Sequence, residues 1–314
     1  MLVRTPPKTD ASSTVQISAP AKVNLFLEIL GKRSDGFHEL ATVMTSVSLF
    51  DQIQFSPNES GKIQLTISFA DSKRSETDIP VDQKNLIVSS LLKLRDTYGS
   101  PEMGMDVVLD KRIPAAAGLG GASSNAAAAI VAGDLAWRLE MSMMDRSEVA
   151  AQIGSDVPFF LYGGTALCTG RGEKVRTVEA PYGIALVIAK PVCGLSTPAV
   201  FRECTVPDSP ADVDGFLEVV THGNPEKIAD SMHNRLQPVA ESIQQEVLAL
   251  AQAFDQTGCL GHQMSGSGTS YFGIFPDVQA AGIAADELGK RNPDWEVFNA
   301  VSYTHLTLPT IYSV

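Results

Sequence analysis

The chain is poor in cysteine: Cys168, Cys193, Cys204 and Cys259 are the only four in 314 residues, scattered and without a C-x-x-C. That spacing describes neither a zinc knuckle nor a disulfide scaffold, and so few thiols in so long a chain fit a reducing cytoplasm. No apolar run approaches the length of a membrane span. The opening 1–13 lacks the apolar core of a secretory signal and reads as a frayed polar arm. Positive charge is scarce too, with 24 Lys and Arg against 36 Asp and Glu and a formal net charge of −12. Nucleic-acid binding usually leaves a basic footprint, so neither a nucleic-acid nor a membrane partner is expected. The histidines have no metal-ligand spacing, and no metal ligands are assigned. What remains is 44% hydrophobic and 19% charged, an ordinary globular composition long enough for two domains or one two-lobed unit.

Hydrophobic patterning predicts strands over 15–18, 23–30, 40–50 and 63–69, then a helix over 85–98 stopped by Gly99. A strand at 105–109, an alanine-rich helix to about 139, a helix at 145–153 and a strand over 158–169 follow. Beyond a boundary near Ala180-Pro181, a strand at 184–189 leads into helices at 198–202, 211–220, 225–232 and 240–256. Strands at 262–265 and 271–275, a helix at 278–290 and a strand at 295–301 complete the pattern. Helices segregated against a mostly antiparallel sheet define an α+β class, divided into 14–180 and 181–301. The last residues, 302–314, resemble translated sequencing adapter rather than natural protein and are set aside as a non-native tail.

The densest signal is KRIPAAAGLGGASSNAAA at 111–128. A strand end passes through a turn opened by Pro114 into the alanine-rich helix. Gly118, Gly120 and Gly121 admit backbone angles closed to other residues and put no side chain in a ligand's way. The following helix offers orphan N–H groups and a positive dipole end, where a phosphate sits well, and Ser123 and Ser124 add hydroxyls there. The pattern is neither G-x-x-x-x-G-K-S/T nor G-x-G-x-x-G. A glycine turn before an alanine helix also arises from tight helix packing, so the loop by itself leaves the matter open.

Three other places interrupt apolar sequence with polar chemistry. Lys22 and Asn24 lie two apart in a strand and so share one face, either a solvated face or a reaction centre where a desolvated cation stabilises developing charge. Asp156, between a helix end and an apolar run, is either a turn or cap residue or a carboxylate held near apolar walls to take a hydroxyl proton. The run 264–270, Met-Ser-Gly-Ser-Gly-Thr-Ser, is either a hairpin loop or a place where backbone N–H groups approach a ligand.

Taken in order, these segments resemble the galactose–homoserine–mevalonate–phosphomevalonate kinase superfamily. Its signature P-x-x-x-G-L-G-G/S-x-S-S corresponds to Pro114, Ala115, Ala116, Ala117, Gly118, Leu119, Gly120, Gly121, Ala122, Ser123 and Ser124. The runs at 19–27, 31–40, 153–160, 194–198 and 265–268 narrow the resemblance to the branch whose acceptor is methylerythritol carrying a cytidine diphosphate. The resemblance implies an N-terminal ATP-binding domain like the second domain of ribosomal protein S5 and a ferredoxin-like α+β C-terminal domain. It also implies ATP with Mg²⁺, direct in-line transfer to a hydroxyl, a cytoplasmic enzyme, and a monomer or weak homodimer.

Residue by residue, the resemblance makes Asp156 the catalytic base, Lys22 the lysine beside it, and 114–124 the loop around the ATP phosphates. Phe37 and His38 match the cytosine-receiving segment, Phe201 a second aromatic, and Asn24 a polar contact near the methylerythritol. Thr197, Gly266, Ser267 and Gly268 complete the acceptor-side set. Ala116 and Ala122 stand where glycine is frequent, and Phe37 where tyrosine is. A sibling kinase for mevalonate or homoserine, and an inactive nucleotide-binding regulator on the same fold, are the alternatives.

Overall fold

The computed structural model describes residues 2–4, 14–69 and 79–303. Its frame is a long antiparallel ribbon of β2 (Val15–Lys32) and β3 (His38–Asn58). The ribbon slips register at Pro20/Ala21, Asn24/Phe26 and Ile29/Gly31, irregularities that re-aim side chains locally. Residues 19–29 of β2 are buried without interruption. Covered on both faces, this stretch loses the alternation that marks a strand in sequence, so the two short strands expected at 15–18 and 23–30 are one.

Around the ribbon, β5 (Gly104–Lys111) pairs with β3 and β4 (Ile63–Phe69) runs parallel to β5, while β6 (Thr165–Gly170) and β7 (Lys174–Val178) extend β3 on its other half. Leu2–Arg4, within the expected polar arm, forms β1 against Gln16–Ser18 of β2. The arm's residues 5–13 lie outside the described residues. Helices α1 (Leu86–Tyr98), α2 (Gly121–Trp137), α3 (Met143–Ile153) and α4 (Val157–Tyr162) share one apolar core with this sheet. Of the region expected as strand at 158–169, only the second half is one. Pro158 sits in the first turn of α4, where its missing N–H costs nothing, and Gly163 ends the helix at φ +67°. Val157 to Leu161 are all buried, which erases the 3.6-residue period.

A second, wholly antiparallel sheet has the order β10 (Gly261–Met264), β11 (Tyr271–Phe275), β8 (Ala185–Lys190), β12 (Glu296–Val301). Helices α5 (Thr197–Glu203), α6 (Val213–His222), α7 (Pro225–Ser231), α8 (Gln237–Ile243), α9 (Gln245–Phe254) and α10 (Val278–Arg291) accompany it. The single helix expected over 240–256 is two, because Gln244 is extended (φ −139°, ψ 103°) between α8 and α9.

The two sheets are stitched together rather than merely adjacent. A shared apolar cluster joins Val23 and Leu25 of β2 with Ile188 of β8 and Phe272 and Ile274 of β11. β9 (His233–Asn234), from the second half of the chain, pairs parallel with Phe26 and Leu27. The expected tail also begins inside the fold: the Ser302 N–H donates to the Ile184 carbonyl at 2.9 Å and the Tyr303 N–H to Ser46 at 2.8 Å. Residues 304–314 lie outside the described residues.

Candidate active site

The glycine loop lines a cavity of about 270 Å³ with all of Pro114 to Ser123 on its wall. α2 opens from Gly120 (φ +69°), with no side chain capping it and no acidic residue in its first turn. Its first N–H groups therefore keep the positive end of the dipole unopposed, the condition for anion binding. Ser124, expected beside them, is fully buried and absent from the cavity wall; one helical step past Ser123 turns it about 100° away. Glycine is obligatory at 118: φ is +73°, and a Cβ there would stand 2.0 Å from the Ser265 carbonyl oxygen. Ala116 adopts φ +49° despite its side chain.

Behind the loop, Asp51 is wholly buried and accepts four hydrogen bonds: Lys111 Nζ (2.7 Å), Arg112 N (2.7 Å), Ile113 N (2.8 Å) and Asn125 Nδ2 (2.9 Å). It ties the strand entering the loop to the helix leaving it. Its role is not legible in the local sequence. The one available signal was a carboxylate inside a long apolar run, where Asp is depleted.

Lys22 and Asn24 do share a face of β2, and each is only 3% exposed, so the solvated reading fails. Lys22 Nζ donates to Asn24 Oδ1 at 2.5 Å and to the Gly118 carbonyl at 2.7 Å, which uses two of an ammonium's three donors. Burial pushes its pKa below the ordinary value, opposed by the Asp156 carboxylate, whose Oδ2 lies 3.9 Å away. Ser265 Oγ donates to the same Gly118 carbonyl at 2.9 Å, so the second-half loop closes on the glycine loop. Asn24 in turn donates to Thr42 Oγ1 at 2.8 Å and orients the lysine. Asp156 precedes α4 but makes no side-chain cap bond, so the ordinary use of an aspartate there is not the one it serves.

Lys22, Asn24 and Asp156 line a second cavity, of about 750 Å³, together with Phe37, His38, Thr197, Phe201, Gly266 and Ser267. Gly118 and Gly120 line both cavities, so the glycine loop is the wall between them. At the far end His38 packs on Phe201, ring centroids 5.4 Å apart. Burial and the charge of Lys32 hold the His38 pKa below its ordinary value of 6.5, and its buried Nε2 has no hydrogen-bond partner among the described residues. Phe37 is 49% exposed, open for a flat ligand to stack upon. Thr197 Oγ1 and Ser267 Oγ are hydrogen-bonded at 2.7 Å. Gly268, expected with them, is not on this wall; its N–H turns back to the Ser265 carbonyl at 3.0 Å. Arg171, also on the wall, was missed because an arginine in a Gly-Arg-Gly turn carries no signature of its own.

The family model for the GHMP kinases N terminal domain matches residues 85–164, and that for the GHMP kinases C terminal matches 216–294. The chain is 39% identical over 265 residues to the 4-diphosphocytidyl-2-C-methyl-D-erythritol kinase of Pelotomaculum thermopropionicum, an alignment that spans 84% of this chain and 90% of that protein. It is 37% identical to the Bacillus licheniformis enzyme of the same name, covering 82% and 86%. A crystal structure of 4-(cytidine 5'-diphospho)-2C-methyl-D-erythritol kinase superposes with a TM-score of 0.74 at 30% identity, over 92% of this chain and 99% of that one. A homoserine kinase from Cytophaga hutchinsonii shares the fold with a TM-score of 0.73 at 21% identity. The chain belongs to the GHMP kinases and, within them, to the 4-diphosphocytidyl-2-C-methyl-D-erythritol kinase family.

Proposed function

We propose that the protein transfers the γ-phosphoryl group of ATP to the 2-hydroxyl of 4-diphosphocytidyl-2-C-methyl-D-erythritol, with Asp156 as base and Lys22 beside it. The observation that carries this is the shared wall: Gly118 and Gly120 face a donor cavity on one side and an acceptor cavity on the other, with Lys22 and Asp156 on the acceptor side of it. Phosphoryl transfer asks for positioning and charge stabilisation more than for covalent help. The α2 N–H groups hold the donor phosphates, and the third donor of Lys22 reaches the transferring oxygens. Asp156 takes the proton as the hydroxyl attacks in line, with no phosphoenzyme. Ring contacts at Phe37 and Phe201 and a hydrogen bond at His38 supply remote binding energy that fixes the reacting hydroxyl.

Magnesium fits as a companion of the nucleotide. Among the described residues no group of three or more His, Cys, Asp or Glu could hold a metal, whereas Mg²⁺ ordinarily needs only one or two carboxylates beside substrate phosphates. The Ser123 hydroxyl, on the wall of the donor cavity, is the oxygen this chain would bring to it. When bound, the ion would offset the negative charge of the phosphates.

The test is ATP turnover across acceptors. Turnover with the cytidyl acceptor, and none with mevalonate or homoserine, is the expected result; consumption with another alcohol in its place, or none at all, overturns the reading. The same assay carries a pH prediction. His38 is neutral in the folded protein because its pKa is depressed, so the acceptor KM should stay flat above pH 6.5 and rise as the pH falls through the His38 pKa. The KM for ATP should not follow it. An acceptor KM that improves on acidification would remove His38 as the base-reading group.

A further inference from the structure

We propose that Arg171 is the anchor for the diphosphate of the acceptor, an inference that rests on the acceptor assigned above. A cytidine-diphosphate-linked alcohol has its base at one end, its reacting hydroxyl at the other and two anionic phosphates between. The large cavity has the corresponding ends: His38 and Phe201 at one, Lys22 and Asp156 at the other. A cation is needed between them, and the turn joining β6 to β7 reaches both. The Arg171 guanidinium lies 5.1 Å from the centre of the Phe37 ring. The next residue, Gly172, is so close to the catalytic carboxylate that a Cβ there would stand 3.5 Å from Asp156 Oδ1.

The charge of Arg171 is also left unopposed. The residue is half-buried, and Glu173 accepts from its backbone N–H at 2.8 Å, yet among the described residues no carboxylate lies within ion-pairing distance of its guanidinium. In a chain of net charge −12, carboxylates are not in short supply. Arg33, on the same wall, is by contrast held by Asp35 at 2.9 Å and Glu39 at 2.7 Å. One donor of Arg171 is fixed by the Ala151 carbonyl at 2.8 Å, which orients the planar fork without neutralising it. A guanidinium carries five N–H donors in a geometry matched to phosphate oxygens. So held, it serves two purposes: one face steadies Phe37, and the remaining N–H groups meet the diphosphate.

The experiment compares binding of cytidine and of CDP, by calorimetry, to the full-length wild type, Arg171→Gln and Arg171→Lys. CDP should bind the wild type more tightly than cytidine does. Arg171→Gln should reduce that preference by about tenfold or more, the scale of a charged hydrogen-bond set, and Arg171→Lys should restore part of it. An unchanged CDP-to-cytidine ratio in Arg171→Gln, with both affinities lowered alike, would show a residue that only props Phe37 and would overturn the proposal. A wild type that binds CDP no better than cytidine also overturns it. A wild type that binds neither overturns the acceptor reading together with it, so the two failures are distinguishable.

Discussion

Replacing Asp156 with asparagine should lower turnover by about 10²–10⁴, the usual contribution of a positioned acid–base group, while ATP binding and thermal stability should stay near the wild type. The separation follows from where the residue sits. Its carboxylate makes no cap bond to α4 and lies at the edge of the acceptor cavity with a side chain 37% exposed. Losing its charge removes the carboxylate that opposes the burial of Lys22, but that lysine keeps its hydrogen bonds to Asn24 and the Gly118 carbonyl, and the ATP loop does not rest on Asp156. The 3.9 Å separation from Lys22 is too long for a hydrogen bond, so the pair is not a structural link. Asparagine keeps the shape and removes the proton acceptor. Single-turnover kinetics with saturating ATP, beside a calorimetric titration of ATP, separate the two effects. Turnover within a few-fold of wild type would mean that the proton leaves by another route, and parallel loss of ATP binding would mean that Asp156 serves the donor.

Asp51→Ala should be the costliest change to stability, about 3–5 kcal/mol, because it breaks a buried ion pair from one side. The variant takes the carboxylate away from a Lys111 ammonium whose side chain is 7% exposed and leaves the N–H groups of Arg112 and Ile113 without their acceptor. Those amides begin the glycine loop, so the KM for ATP should rise along with the loss of stability. Replacing Asp51 and Lys111 together by apolar residues should recover much of the stability, since the penalty lies in the stranded charge rather than in the loss of attraction. The expected ATP defect would persist in the double variant, because the loop would still lack its anchor. Chemical denaturation of the single and double variants reads this directly. A single variant that loses less than about 1 kcal/mol, the worth of an exposed pair, would show that water reaches Asp51.

Much of the site was legible because it depends on local backbone chemistry. A glycine needed at φ +73°, a helix start left uncapped and a lysine two residues from an asparagine are written in short runs of sequence. The families of motifs around them set the superfamily and the acceptor branch. Elements whose character depends on burial from several sides were harder to read. α4 is buried at five of its six positions, β2 is covered on both faces, and neither shows the period of its own geometry. Ser124 and Gly268 fit the motif yet lie off the cavity walls, since a motif fixes spacing and not which way a residue faces.

Local sequence therefore carries the parts: a glycine loop ahead of a helix, a lysine, a carboxylate and an aromatic–histidine pair in an α+β chain of the GHMP kinases. What only the tertiary structure decided is how these parts are joined. Gly118 became the meeting point of Lys22 and Ser265, residues 243 positions apart by number (265 − 22). The buried carboxylate of Asp51 became the brace of the loop, and Arg171 came to the wall of the large cavity. The physical reason is that a hydrogen bond or a charge pair is fixed by distance and burial, which long-range packing sets and local sequence does not.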